Sequence, residues 1–197
     1  MITLSILAVI SFAITGITFF WMHFNRDYHI HTYAVSDFIH TRHAPKLWTV
    51  MTSNGIGYAF LGVAFLLAHH YAVGVVSLIA SVFSILIAAV PVNPIGTPRN
   101  VCAYMHIGVA GIFFTLVFLL MTLTHIYVTP VMGATAQTIL GIILWISRIS
   151  LVAFLIISMC FGERFYGIPQ RSFIVSSFFW AFTLSICILA NSHNIVV

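Results

Sequence analysis

Apolar side chains along this chain do not recur with the period of a half-buried helix or strand; they run on without a polar face. Six such runs stand at about 2–22, 47–68, 73–92, 101–124, 134–161 and 172–192. Each is close to the roughly 20 residues a helix needs to cross a hydrocarbon core about 30 Å thick. Spanning strands would alternate over roughly ten residues, and with no water to satisfy the backbone only helices and closed barrels cross a bilayer. The pattern therefore predicts the all-α class: one domain over 1–197, an integral membrane bundle of six transmembrane helices.

Composition agrees, since 61% of residues are apolar and 5% are charged. Charge then orients the bundle. Six of the seven basic residues fall between runs: Arg26, Arg42 and Lys46 in the first connection, Arg99 in the third, Arg164 and Arg171 in the fifth. The second and fourth connections carry none. Short basic loops stay cytoplasmic, so the long first loop is expected inside and both termini outside, in a multi-pass protein of a bacterial cytoplasmic (inner) membrane. The first run has no basic residue before it and no small-residue cleavage site after it, so it is expected to be a retained span.

Local punctuation adds two expectations. In PVNPIGTPRN, Thr97 and Pro98 have the form of an N-cap and first helical residue for span four. In the first loop, Ser36 or Asp37 should cap a short interfacial helix running through FIHTRHA to Pro45, its apolar residues on the membrane and its histidines toward water. The three cysteines, Cys102, Cys160 and Cys187, lie in apolar runs and suit packing rather than a disulfide framework.

Polar residues within the spans carry the candidate chemistry. Arg148 stands midway along span five, where an arginine costs roughly 2.5–3.5 kcal/mol. The only acids, Asp27, Asp37 and Glu163, lie in loops or at a span end. Helical side chains lean toward their own N-terminus, which on span five points away from all three. Arg148 can thus hydrogen-bond to carbonyls, to Ser147 or Ser150, or to an Asn on another helix, while stacking on Trp145 one turn earlier. Alternatively it faces a hydrated cavity and offers its planar fork to an anionic or carbonyl-bearing ligand, or it meets an acid on a partner subunit.

On span two, Asn54 and Tyr58 lie one turn apart on a face cleared by Gly55 and Gly62. They serve either as helix-packing glue or as the wall of a cavity that also contains Arg148. His106, near the inner end of span four, is a packing residue or a ligand-handling one. Ten histidines in so uncharged a chain raise metal and haem. Zinc needs three or four converging ligands, and only His40 and His43 have a helix-compatible spacing; haem between helices needs paired deep histidines, and His106 has no such partner. No metal site and no cofactor are expected.

Three stretches, VSDFIHTRHAPKLWTVMTSNGIGYAFLGVAFLL, AAVPVNPIGTPRNVCAYMHIGVAGIFF and FGERFYGIPQR, resemble the bacterial and archaeal membrane family called domain of unknown function 998. The resemblance covers almost the whole chain and implies the family's motif positions. These are Ser36 and Asp37 before span two, Pro91 with Asn93 after span three, His106 with Ala110 on span four, and Glu163 with Arg164 after span five. Asn93 stands where the family often has an acid, which puts carboxylate chemistry at that turn in doubt. A looser similarity to the Frag1-like six-span membrane proteins, some linked to lipid remodelling or sensing, tilts the expectation toward lipid.

The leading expectation is a protein that binds or handles a lipid or other amphipathic anion in a polar cavity around Arg148, with His106, Asn54, Tyr58 and Trp145 contributing. The second is a structural or accessory subunit of a membrane complex, with a membrane-protein partner or a homo-oligomer. A membrane hydrolase using Ser36, Asp37, His40 and His106, or a haem- or metal-binding protein, is third. Membrane lipids are the expected partners and nucleic acid is not.

Overall fold

The computed structural model describes residues 1–23, 34–90, 92–93, 97–98, 100–161 and 167–191. They form six helices: α1 (Ile2–His23), α2 (Ala44–Leu67), α3 (Tyr71–Ala89), α4 (Val101–Tyr127), α5 (Ala134–Phe161) and α6 (Gly167–Ala190). All six are long and apolar enough to cross a membrane, and there is no strand among the described residues. The expected all-α six-helix bundle is thus what the chain forms. The largest shift from the expected bounds is at α6, which starts five residues earlier than the apolar run. Pro169 does not prevent this, because the first N–H groups of a helix have no intrahelical acceptor to lose.

Around the bundle the helices follow the order α4, α3, α2, α1, α6, α5. The α2–α3 seam is the tightest. A methyl added at Gly62 would lie 3.1 Å from the Gly74 carbonyl oxygen, and one at Gly74 would lie 3.0 Å from that of Gly62. With the backbones that close, side-chain hydroxyls reach across: Ser77 donates to the Tyr58 carbonyl and Ser84 to the Met51 carbonyl, both at 2.9 Å. This is how small residues hold helices together where lipid removes the hydrophobic drive between them. Elsewhere Thr15 and Ser53 share a 2.8 Å bond between α1 and α2, and Ser147 donates to Ser176 between α5 and α6.

The α4–α5 seam is looser, joined by long side chains such as Phe114 against Phe154 and Arg148 to Thr122. Gly108 and Gly111 on α4 face open space. Helix α4 is capped by Asn100, whose side chain accepts from the Ala103 N–H at 3.0 Å. Thr97 is therefore not the cap. Pro98 precedes the helix by three residues, and Asn100 stands one residue before the apolar run, where its short side chain reaches the first free N–H groups.

The end of the bundle carrying Lys46 and Arg171 is its basic end. There residues Val35–His40 form a 3-10 helix, opened by Asp37, which accepts the Ala34 N–H at 2.7 Å. Neither Ser36 nor Asp37 is the expected cap: Ala34 holds that position, Asp37 stands third in the helix with its carboxylate turned back to the Ala34 N–H, and the helix ends at His40 rather than Pro45. Nor does it lie with its apolar side on the membrane: Val35 and Phe38 are buried in the bundle, with Phe38 edge-on to His23 at 5.2 Å. Burying two apolar residues against helix ends removes them from water and from headgroups together, so the segment sits as a stopper across the basic end.

Candidate functional site

Above that stopper, in the basic half of the bundle, α1, α2, α3, α4 and α6 enclose a cavity of about 50 Å³. At roughly 10–15 Å³ per water it holds about four waters or a small polar group. Its walls are Phe113, Val117 and Phe173, with polar groups from Thr15, Ser36, Asn54, Tyr58, His106 and Gln170.

Each polar group is positioned by bonds made elsewhere. Ser84 gives its proton to the Met51 carbonyl, so its oxygen accepts from Asn54 Nδ2 at 3.1 Å. That chain fixes the amide and leaves Asn54 Oδ1 free of any partner among the described residues. His106 Nδ1 lies 2.8 Å from the Val90 carbonyl. A carbonyl can only accept, so Nδ1 carries a proton, and in the neutral ring the lone pair is on Nε2. Tyr58 is held by edge-on contacts with Phe12 and Phe113. It is 99% buried on its 1% relative exposure, yet its hydroxyl has no hydrogen-bond partner among the described residues. Among the described residues the chamber thus presents the Tyr58 hydroxyl and two acceptors, Asn54 Oδ1 and His106 Nε2, without a hydrogen-bond partner, with the Ser36 hydroxyl and the Gln170 amide at its edge.

The sequence-derived set divides. Asn54, Tyr58 and His106 meet at one cavity, and the family-motif Ser36 and Ala110 join them. Arg148 and Trp145 do not line it. Arg148 lies on α5, which contributes nothing to the chamber, and its guanidinium turns to α4: Nη2 donates to Thr122 at 3.4 Å, and the group packs 5.0 Å over Trp145 and 5.7 Å from Phe118. The Trp145 stack is as expected; the bonds to Ser147, Ser150 or an Asn are replaced by Thr122. Trp145 is itself 61% exposed on the lipid-facing side. A cavity around Arg148 is therefore corrected to a cavity around Asn54, Tyr58 and His106, with Arg148 on the far seam.

Other expected residues have structural work. Asn93 bridges its own turn by donating to the Pro98 carbonyl. His40 bonds the Val92 carbonyl at 2.7 Å, tying the stopper to the α3–α4 connection. Pro91, Glu163 and Arg164 fall outside the described residues. No group of three or more His, Cys, Asp or Glu comes together among the described residues.

Two polar features escaped the sequence. Gln170 accepts the Val35 N–H at 3.1 Å, locking α6 to the stopper and flanking the chamber. Arg171, counted as a loop charge, is buried at 7% exposure and donates from Nε to His23 Nε2 at 3.0 Å and from Nη1 to the Gly167 carbonyl. His23 accepts because its Nδ1 faces the Phe19 carbonyl at 2.7 Å. The available signal was spacing: Gln170 and Arg171 follow Gly167 and Pro169 too closely to be a loop if the helix starts at the glycine.

Fold and chamber together define a multi-pass α-helical membrane protein with a polar interior at its basic end. No protein-family model matches the chain, and neither does any curated protein or solved structure.

Proposed function

We propose that the chain binds a small polar molecule, or the polar head of an amphipathic one, in the chamber bounded by Asn54, Tyr58 and His106. The observation that carries this is the Tyr58 side chain, 1% exposed and on the cavity wall, whose hydroxyl has no hydrogen-bond partner among the described residues, beside Asn54 Oδ1 and His106 Nε2. Unmet polar groups in a membrane interior are costly, and a ligand that meets them recovers that cost. Two acceptors beside hydroxyl groups and the Gln170 amide suit a ligand bearing N–H or O–H donors together with an acceptor, such as an amide or alcohol. The anionic character expected earlier rested on Arg148, which lies on another seam.

Tyr58→Phe tests this, since it keeps both ring contacts and removes only the hydroxyl. Thermal stability in detergent should be unchanged or slightly raised, while mass spectrometry of small molecules and lipids released from the purified protein should show one species lost or depleted. An identical complement from both proteins would end the reading.

The basic end is proposed to face the cytoplasm, with both termini outside, on the distribution of Arg and Lys; reporters fused to either terminus give the opposite signal if the orientation is reversed. Membership of the family resembled by the three quoted stretches is part of the same proposal. Its support is the six-span form, with Ser36, His106 and Ala110 around one chamber.

A second reading, an accessory subunit, has its own observation. Arg148 carries a buried Nε without a partner among the described residues, on a seam flanked by the exposed Trp145, Ile149 and Val152. A partner helix bringing an acid to this face would satisfy it. Co-purification of a membrane protein that is lost with Arg148→Leu tests that alternative.

A further inference from the structure

On the lipid-facing side, independent of the chamber, α1 and α6 part to leave an apolar groove of about 590 Å³. Phe12, Gly16 and Trp21 line it from α1, and Phe178, Phe179 and Phe182 from α6. Gly16 makes its floor: a methyl there would rest 3.6 Å from the Phe178 ring. From Phe12 to Trp21 the groove runs nine residues, roughly 13 Å along the helix at 1.5 Å per residue, from mid-membrane to the basic end.

At that end the groove meets a cation. Lys46, in the first turn of α2, holds its Nζ 4.0 Å over the Trp21 ring. Tryptophan at this depth marks the headgroup layer. Lys46 makes no ion pair among the described residues, where the one carboxylate, Asp37, is buried in the stopper and accepts the Ala34 N–H. An apolar trough ending in a fixed ammonium at headgroup depth matches one molecule: a phospholipid with a chain lying lengthwise and an anionic phosphate above it.

We propose that this groove is a binding site for an anionic phospholipid of the leaflet at the basic end. One acyl chain lies between α1 and α6, and the headgroup phosphate is received by Lys46. A second copy of the chain fits less well. In a membrane it would share the same orientation and bring its own Lys46 to the same depth, and this chain has only three acids against seven basic residues. The shared wall Phe178 separates the groove from the chamber, so the lipid would occupy a site of its own.

Native mass spectrometry of the purified, delipidated protein titrated with phosphatidylglycerol or phosphatidylcholine tests this. The wild type should retain phosphatidylglycerol with a preference of roughly fivefold, the effect of about one lysine near the surface. Lys46→Gln should abolish the preference, and Gly16→Leu, which fills the floor, should reduce binding of both lipids at an unchanged melting temperature. Should Gly16→Leu lower that temperature, Ala13→Leu, on the same wall, replaces it. Equal retention of the two lipids by the wild type overturns the proposal. So does undiminished phosphatidylglycerol binding in a groove-filling variant that is folded.

Discussion

Replacing Arg148 with Leu should stabilise the isolated chain, and the size follows from the contacts. The guanidinium makes one hydrogen bond, at 3.4 Å to Thr122, at the long limit for such a bond. Cross-helix bonds in membranes average about 0.6 kcal/mol. Its two ring contacts, 5.0 Å over Trp145 and 5.7 Å from Phe118, contribute roughly 0.5–1 kcal/mol each. The favourable side is thus about 2 kcal/mol. Against it stands roughly 2.5–3.5 kcal/mol for an arginine midway along a span, a cost avoided when the unfolded chain hydrates the group. Nε, buried without a partner, does nothing to offset it.

The expected net gain is about 1 kcal/mol, or roughly 2–4 °C in melting temperature for a chain of this size. Reversible unfolding in mixed micelles, followed by helix content, measures it. A loss of stability above about 1 kcal/mol would refute the reasoning, since Arg148 would then have an acceptor stronger than Thr122 within the chain. If stability rises while a membrane partner is lost from the purified sample, the arginine serves association instead.

The remaining predictions concern packing. Gly62→Val should cost about 3 kcal/mol, because its Cβ would stand 2.8 Å from Leu78 and 3.1 Å from a backbone oxygen that cannot move aside cheaply. Gly108→Val, into open space, should change unfolding by less than about 0.5 kcal/mol, and equal effects at both sites would contradict the helix order. Arg171→Met should destabilise by roughly 1–3 kcal/mol in the same unfolding assay, since it leaves the buried acceptor of His23 unpaired; a neutral result would mean that water replaces the guanidinium there.

The spans were legible because their signal is length. Runs of about 20 apolar residues need no knowledge of neighbours, and five of the six helix starts fall within three residues of the expected positions. Asn54, Tyr58 and His106 were legible as chemistry, being polar side chains at depths where polarity is costly. Their convergence with Ser36 depends on the ring order, and no pattern along one helix encodes which helix lies beside it. Arg148 drew the expected cavity toward itself because it carries the largest local penalty, but a penalty identifies a residue without saying which way it points. Misplacing the start of α6 hid Gln170 and Arg171, for a boundary error of five residues turns a buried first turn into an exposed loop.

The two arginines show why depth alone is a poor guide to role. Arg171 is the fifth residue of α6, and its guanidinium reaches both the Gly167 carbonyl one turn back and the His23 ring. Burial there is compensated by acceptors, so the charge serves as a rivet that also fixes the neutral tautomer of His23. Among the described residues Arg148 makes no bond to a backbone carbonyl, and its neighbours are Phe118, Trp145 and one hydroxyl. A fold selected for stability alone gains nothing by keeping a guanidinium at that position. On the proposed second reading, what holds it acts outside the isolated chain, at the α4–α5 face, whereas on the proposed function what the chamber binds answers to Asn54, Tyr58 and His106. The two faces therefore make separable demands, and substituting one should leave the other's readout unchanged.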